Sequence, residues 1–179
     1  KKNSKVYKRI SEHIGRYPIV MVSPADTVLV NGSGEERRKF LTLILSQIDK
    51  EYLKRMQQYN QLILQRNKLL KMDNVCWELV ETIDFQLSVN ADYIYRKRDE
   101  LCRNLEEKVY GYYAALSGGK EKIQLQYISD LQQDTLENLL RDNRQKDAIL
   151  RYTSMGVHKD EIEFTLNGMP LKKCGSQGQ

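Results

Sequence analysis

The sequence predicts a mainly α protein with a small β component: a long antiparallel helix pair, coiled-coil-like, standing on a small α/β base. Three observations carry this. Residues 76–116 keep apolar side chains at helical steps of three and four. Only three prolines and ten glycines fall in 179 residues, so long helices go unbroken. Short alternating segments lie towards the C-terminal end, one of them closed by Asn167-Gly168.

The elements follow in order. "NSKVYKRISEHIG" places Val6, Ile10 and Ile14 four apart, a short helix stopped by Gly15. Ile19, Val20, Met21 and Val22 between two prolines read as a buried strand. Ser23 before Pro24 is a helix start. Ser33 and Glu36 have the spacing of a capping box, opening a helix from Glu35 to about Gln47. Asp49 caps the next, whose Tyr52, Met56, Tyr59, Ile63 and Leu70 keep the same rhythm. The long stripe then runs Cys76, Val80, Ile83, Leu87, Ala91, Ile94, Leu101, Leu105, Val109, Tyr112 and Leu116, interrupted at Arg98. A helix of about 42 residues is about 63 Å long. A single stripe of that length must pack on another helix, and residues 49–71 are the partner folding back on it.

Gly118-Gly119 ends the long helix. The nearby lysine does not make a phosphate loop, because the GxxxxGK[ST] spacing is absent. "IQLQYI" alternates as a half-buried strand. "QDTLENLLRDNRQKDAILRY" reads as one amphipathic helix through Leu136, Leu139, Leu140 and Ile149. Ile162, Phe164 and Leu166 alternate into the Asn167-Gly168 turn, a hairpin signal. Strands near both ends place the ends at a common base, formed by residues 1–48 and 150–179, with 49–149 as the arm.

The net charge is +5, and "KKNSKVYKR" holds five basic residues and no acid. That balance fits an anionic partner or a lysine-rich solvated surface. No apolar run is long enough to span a membrane, and no signal peptide is read. Cys76, Cys102 and Cys174 form no CxxC and lie away from His13 and His158, so zinc is not expected and a reducing cytoplasm is.

No catalytic motif of the GxSxG, HExxH, GxGxxG or Walker type occurs. Two stretches stand out. "GSGEERRKFL" puts Arg37, Arg38 and Lys39 in the first turns of a helix, where cations oppose the dipole. They meet DNA, another anion or an acidic partner, or they are solvated surface. "TSMGVHKDEIEF" gathers Thr153, Gly156, His158, Lys159, Asp160 and Glu161 in a loop feeding a strand, a place for ligand sites or plain solvation.

These strings, with "VMVSPAD", "YNQLILQRN" and the terminal "SQGQ", resemble in order and across essentially the whole chain the RecF family of bacterial DNA replication and repair proteins. The resemblance implies an ABC-type ATPase related to SMC heads, binding ATP and Mg between two subunits of an ATP-dependent homodimer. It implies association with DNA at single-strand/double-strand junctions, and with RecO- and RecR-type mediators that load RecA at gaps in the SOS response. It implies a cytoplasmic, nucleoid-associated location. It assigns Ser176, Gln177, Gly178 and Gln179 to the signature that contacts nucleotide across the dimer; a serine hydroxyl and glycine amides suit phosphate. Asp26, Gln65, Arg66, Asn67, Gly156, His158, Lys159 and Asp160 match motif positions, with no role attached. Walker A and Walker B are absent, so the chain resembles the central helical-arm part of such a protein. It is expected not to hydrolyse ATP alone, nor to hold a cofactor or metal. Ala25 stands at the family's Glu, Gly34 and Val157 at prolines, Thr42 at Asp, Lys159 at Arg and Glu161 at Asp. The rival reading is a coiled-coil structural or interaction protein without nucleotide function.

Overall fold

The computed structural model describes residues 23–174, together with Ile14. The helix expected before Gly15, the strand at 19–22 and the signature at 176–179 lie outside the described residues.

Asp49 does cap its helix: its carboxylate accepts the Tyr52 amide at 3.0 Å, and α3 runs Lys50–Leu70. It follows α1 (Val28–Asn31) and α2 (Gly34–Ile48). The long stripe forms one unbroken helix, α4, Trp77–Ser117, of 41 residues. It ends at Gly118, whose φ of 64° is the left-handed conformation that glycine adopts without a Cβ penalty. The α3 and α4 helices fold back antiparallel. Tyr52, Met56, Tyr59 and Leu62 meet Leu87, Ala91 and Ile94 in one core, closed by Leu136, Leu140 and Val157. Each leucine, isoleucine, valine or methionine among them contributes about 1.5–3 kcal/mol by leaving water.

Beyond Ile94 the stripe holds through Leu101, Leu105 and Val109 and departs from the expected one at Arg98 and at its end. Arg98 is no interruption; it is buried, and the packed face continues through Cys102, Leu105, Val109 and Tyr113. Tyr112 and Leu116 are instead exposed, at 74% and 86%. The reason is a change of partner. The first half of α4 faces α3, and the second half faces a sheet. Cys76 is exposed at the N-cap.

That sheet is antiparallel, in the order β1 (Ile123–Ile128), β2 (Glu161–Leu166), β3 (Met169–Pro170). Ile123 opposes Leu166, and Tyr127 opposes Ile162. The β2–β3 turn uses Asn167 and Gly168 at φ 51° and 80°, both left-handed, as a two-residue hairpin requires. Leu125, Tyr127 and Ile162 pack on Cys102 and on Leu41 of α2.

Two expectations are corrected. The helix read through 136–149 is two, α5 (Leu136–Asp142) and α6 (Arg144–Leu150). The Asn143 side chain donates to the Leu139 carbonyl at 2.8 Å and closes α5. The break buries Asp147 and leaves Ile149 82% exposed. The Ser33–Glu36 capping box does not form. Ser33 makes no side-chain cap, and Glu36 pairs with Lys39. After β3 a single turn, α7 (Leu171–Cys174), ends the described chain. Among the described residues no helix is long and apolar enough to cross a membrane.

Candidate functional site

Arg66, Asn67, Gly156, His158, Lys159 and Asp160 converge on one segment, the loop 151–160 between α6 and β2. Two buried arginines hold it. Arg66 of α3 is fully buried. Its Nε donates to Asp84 of α4 at 2.6 Å, and its Nη1 donates to Asp147 of α6 at 2.6 Å and to the Thr153 hydroxyl at 3.1 Å. Thr153 in turn donates its amide and hydroxyl to Asn67 Oδ1, at 2.7 and 2.8 Å. The Ser154 amide donates to the other Asp147 oxygen at 3.0 Å. Gln65, beside them in sequence, points the other way, into a groove with Gln58, Gln61, Phe85 and Val89.

Arg98 of α4 holds the far end of the loop. Its Nη1 donates to Asp160 at 2.8 Å and to the Val157 carbonyl at 2.6 Å; its Nε donates to the Tyr52 hydroxyl at 3.1 Å. Tyr127 of β1 donates to the same Asp160 oxygen. Burial opposes the Arg98 charge, but Tyr52 and Asp160 outweigh it and hold its pKa above the ordinary value. Burial pushes the Asp160 carboxyl up, and Arg98 pulls it back.

Between the clasps, Gly156 takes φ 122°, and a Cβ there would stand 2.6 Å from the Tyr59 hydroxyl, so only glycine fits. Its amide donates to Asp130 at 3.0 Å. His158 places Nδ1 2.8 Å from the Tyr59 hydroxyl and Nε2 3.1 Å from the Thr153 carbonyl. A carbonyl only accepts, so Nε2 carries the proton and Tyr59 donates to Nδ1. Burial holds this imidazole neutral, with its pKa lowered to about 4; Lys159 and Arg38 add to the depression, while Thr153 and Asp130 oppose it. Lys159 lies over the Tyr152 ring at 5.3 Å.

The linkage has a definite sign. Between the ordinary value of 6.5 and about 4, the unfolded chain binds a proton that the folded chain excludes. His158 therefore contributes stability that is full above 6.5 and falls with pH, by at most about 1.4 kcal/mol per pH unit. The raised carboxyls of Asp84 and Asp160 act in the opposite direction and do so in wild type and variant alike. Urea midpoints at pH 7 and pH 5 are expected to differ less in His158→Gln than in the wild type. An equal difference in both would show that His158 does not carry this term.

The basic cluster of α2 is largely turned inward. Arg37 Nε donates to Glu161 at 2.7 Å, and its Nη1 donates to the Leu29 and Gly32 carbonyls at 3.1 and 3.2 Å. Arg38 donates to the Asp160 carbonyl at 2.7 Å. Lys39 is exposed and pairs with Glu35 and Glu36. Asp26 is local: its carboxylate accepts the Ser23 amide at 2.6 Å, at the start of a 3-10 turn, Pro24–Thr27. Arg38, Lys39, Thr42 and His158 line an open cleft of about 830 Å³ beside Leu43, Leu53 and Met56.

Two departures from the family pattern meet in space. A Cβ on Gly34 would collide with the Glu161 carboxylate. Glycine at the family's proline makes room for glutamate at the family's aspartate. Gly34 is the first residue of α2, where proline is otherwise favoured, and Ser33 before it has the extended ψ of 162° that a following proline requires. Gly34→Pro alone is expected to cost about 1 kcal/mol or less, because the Glu161 carboxylate is the end of a flexible side chain that can turn aside at the expense of its Arg37 pair. Combined with Glu161→Asp, most of that loss should be recovered. Strictly additive losses in urea unfolding of the four proteins would disprove the complementarity.

Arg98, Asp84, Asp147, Tyr52 and Tyr127 carry the clasps although no motif role attaches to them, and Tyr59, which opens "YNQLILQRN", joins them. Their signal was charge or hydroxyl on an otherwise apolar face.

An antiparallel helix pair packed on a small sheet defines the architecture, and solved structures share that fold. No protein-family model matches the chain. DNA replication and repair protein RecF of Parabacteroides distasonis is 46% identical over 179 residues, covering all of this chain and 49% of that relative. The RecF of Porphyromonas gingivalis strain ATCC 33277 is 41% identical over 180 residues, covering 50% of it. The solved structure of the recombination mediator protein RecF-ATPrS in the RecFOR pathway superposes with a TM-score of 0.87 at 26% identity. It covers 97% of this chain and 50% of that one. The RecF-ATP structure of the same pathway gives 0.86. The chain is similar to RecF proteins along its whole length, and it spans about half the length of the curated relatives it matches.

Proposed function

We propose that this chain is the helical-arm portion of a RecF-like, ATP-dependent DNA-binding protein of recombinational repair and replication. In this reading residues 49–149 are the arm. Residues 1–48 and 150–179 are base segments adjoining an ABC-type ATPase head. The observation that carries it is the match along nearly the whole chain to RecF-ATPrS, with the motif residues gathered around the loop that feeds β2. From β2 the chain runs through β3 and α7 directly to Ser176.

The donor chemistry of Ser176–Gln179 fits a nucleotide phosphate. A hydroxyl and glycine amides approach phosphate closely and donate to it. ATP with Mg, when bound between two subunits of the whole protein, would supply the energy of dimerisation. Ser176 and Gly178 would bind the partner's nucleotide, with Gln177 and Gln179 flanking them. The chain alone holds no GxxxxGK[ST] loop for the β- and γ-phosphates and is not expected to hydrolyse ATP. Exposed Lys39 and the arm surface around Phe85 and Val89 are proposed to meet DNA at single-strand/double-strand junctions or RecO- and RecR-type mediators. Arg37 and Arg38 join them to the extent that their internal bonds allow. RecA loading at gaps within the SOS response, in the cytoplasm at the nucleoid, completes the reading.

The test is Ser176→Arg in the full-length protein. ATP-driven dimerisation should be lost while nucleotide binding to the monomer is retained. Dimerisation at wild-type strength would refute the signature assignment. A gene encoding no GxxxxGK[ST] loop upstream of Lys1 would favour a coiled-coil interaction protein without nucleotide function.

A further inference from the structure

We propose that the groove between α3 and α4 that holds Gln65 binds an extended segment of a partner protein, one carrying an apolar side chain next to a basic one. The proposal rests on the arm-contact reading above and narrows it to one class of partner.

The groove has a volume of about 390 Å³. Gln58, Gln61 and Gln65 line it from α3, at helical steps of four and three, and Gln86 lines it from α4. All four are exposed, and among the described residues their side chains form no hydrogen bond. Asn90, which lines the same groove, is 6% exposed. Its Nδ2 donates to the Gln86 carbonyl at 2.8 Å. Only the amide nitrogen can do that, so the atom left over is Oδ1, and it is buried without a donor. An acceptor kept out of water is costly to leave unpaired, and an incoming N–H would satisfy it. The glutamines around it are long and exposed, so they can turn aside to admit one.

A side-chain amide both donates and accepts. An extended backbone offers N–H and C=O groups to match, whereas a helix has already paired its own. Gln58 and Gln65 stand about 10 Å apart along α3, about the length of three residues of extended chain.

Charge selects the class of partner. Phe85 and Val89 of α4 are 60% and 46% exposed and border both this groove and a second one of about 290 Å³. Asp92, Asp134 and Glu137 line the second groove. Asp92 pairs with Arg96, one turn on; Asp134 and Glu137 form no ion pair among the described residues. Among the described residues, no lysine or arginine lines either groove. Carboxylates without a lining cation repel a phosphate backbone and attract a lysine or arginine. The segment therefore lays its backbone along the glutamines, its apolar side chain on Phe85 and Val89, and its basic side chain over the acids. Gln65 thereby has work to do on the face that the buried clasps leave unused.

The experiment screens the full-length protein against a positional-scanning library of short synthetic peptides and measures the selected peptide by fluorescence anisotropy. The library should select an apolar residue beside a lysine or arginine. Phe85→Ala should weaken that peptide about tenfold or more. Gln65→Ala should weaken it about three- to tenfold. Asn90→Leu should weaken it about tenfold while the melting temperature holds or rises, because leucine removes the orphaned acceptor; an asparagine with a merely structural role would lower the melting temperature and leave peptide affinity alone. Asp134→Asn with Glu137→Gln should relax the choice of basic residue. Selection of no peptide would overturn the inference, and so would a selected peptide that binds Phe85→Ala and Asn90→Leu as it binds wild type. Junction DNA and the RecO- and RecR-type mediators are titrated on the same variants. Loss of DNA affinity in Phe85→Ala without any selected peptide would make this face a DNA contact, so that this inference fails and the arm reading stands. Loss of the peptide with DNA and both mediators bound at wild-type strength would sink the arm reading at this face and leave the groove a peptide site.

Discussion

Arg98→Ala is expected to destabilise the chain by about 3–5 kcal/mol, because it leaves the buried Asp160 carboxylate without its cation. That is a large share of the about 5–15 kcal/mol that holds a typical domain. Arg98 joins α2 through Thr42, α3 through Tyr52 and Met56, and the loop through Val157 and Asp160. Alanine removes all of these at once and strands the Val157 carbonyl as well. Arg98→Lys keeps the charge but not the fork, so it should lose less and still lose clearly. Arg98→Met combined with Asp160→Asn removes both charges and leaves Tyr127 an acceptor. It should recover part of the loss. Urea unfolding of the four proteins decides. A cost below about 1 kcal/mol for Arg98→Ala would place the pair among exposed ion pairs in energy, contrary to its burial.

Arg98 also shows where reading the sequence stopped. Periodicity counts apolar residues, and a charged residue on the seam registers as a gap. The gap was real in chemistry and absent in geometry: the stripe continues straight through it to Cys102, Leu105 and Val109. What makes arginine tolerable there is Asp160, 62 residues away in sequence. The same limit explains the turned face beyond it. Tyr112 and Leu116 fit a seam facing α3, but the packing partner at that height is β1, met on another side of the helix. Asn143 and Asp147 divide one expected helix because an inward aspartate for Arg66 outweighs an inward Ile149.

Local signals behaved better. Asp49, Gly118, and Asn167-Gly168 act through their own backbone neighbourhood, and each does in the fold what its chemistry requires. Ser33 is the exception. The acid that sits over the start of α2 comes from Glu161, across the fold. The motif residues were legible as a set through their order along the chain. That Arg66, Asn67, His158 and Asp160 are fasteners of one loop, and that Gln65 faces away from them, emerges only from their partners.

Arg66→Met should cost at least as much as Arg98→Ala, about 3–5 kcal/mol or more, because one guanidinium pairs with two buried carboxylates. Without it Asp84 and Asp147 are buried side by side with like charge. Burial already raises the Asp84 carboxyl against the pull of Arg66, so the variant should take up protons readily and regain stability as the pH falls. A second comparison separates energy from placement. Replacing Arg66, Asp84 and Asp147 together by Met, Leu and Leu removes every charge of this triad. Such exchanges are often neutral or stabilising. The α3–α4 seam has its own apolar core and should survive this. The loop 151–160 keeps Thr153 on Asn67 but loses Thr153 on Arg66 and Ser154 on Asp147, and apolar side chains cannot replace those two hydrogen bonds. The triple variant should therefore unfold near the wild-type urea midpoint while amide exchange in residues 151–160 speeds up. Protection of those amides at the wild-type level would mean that apolar packing, not the buried ion triad, sets the position of the loop.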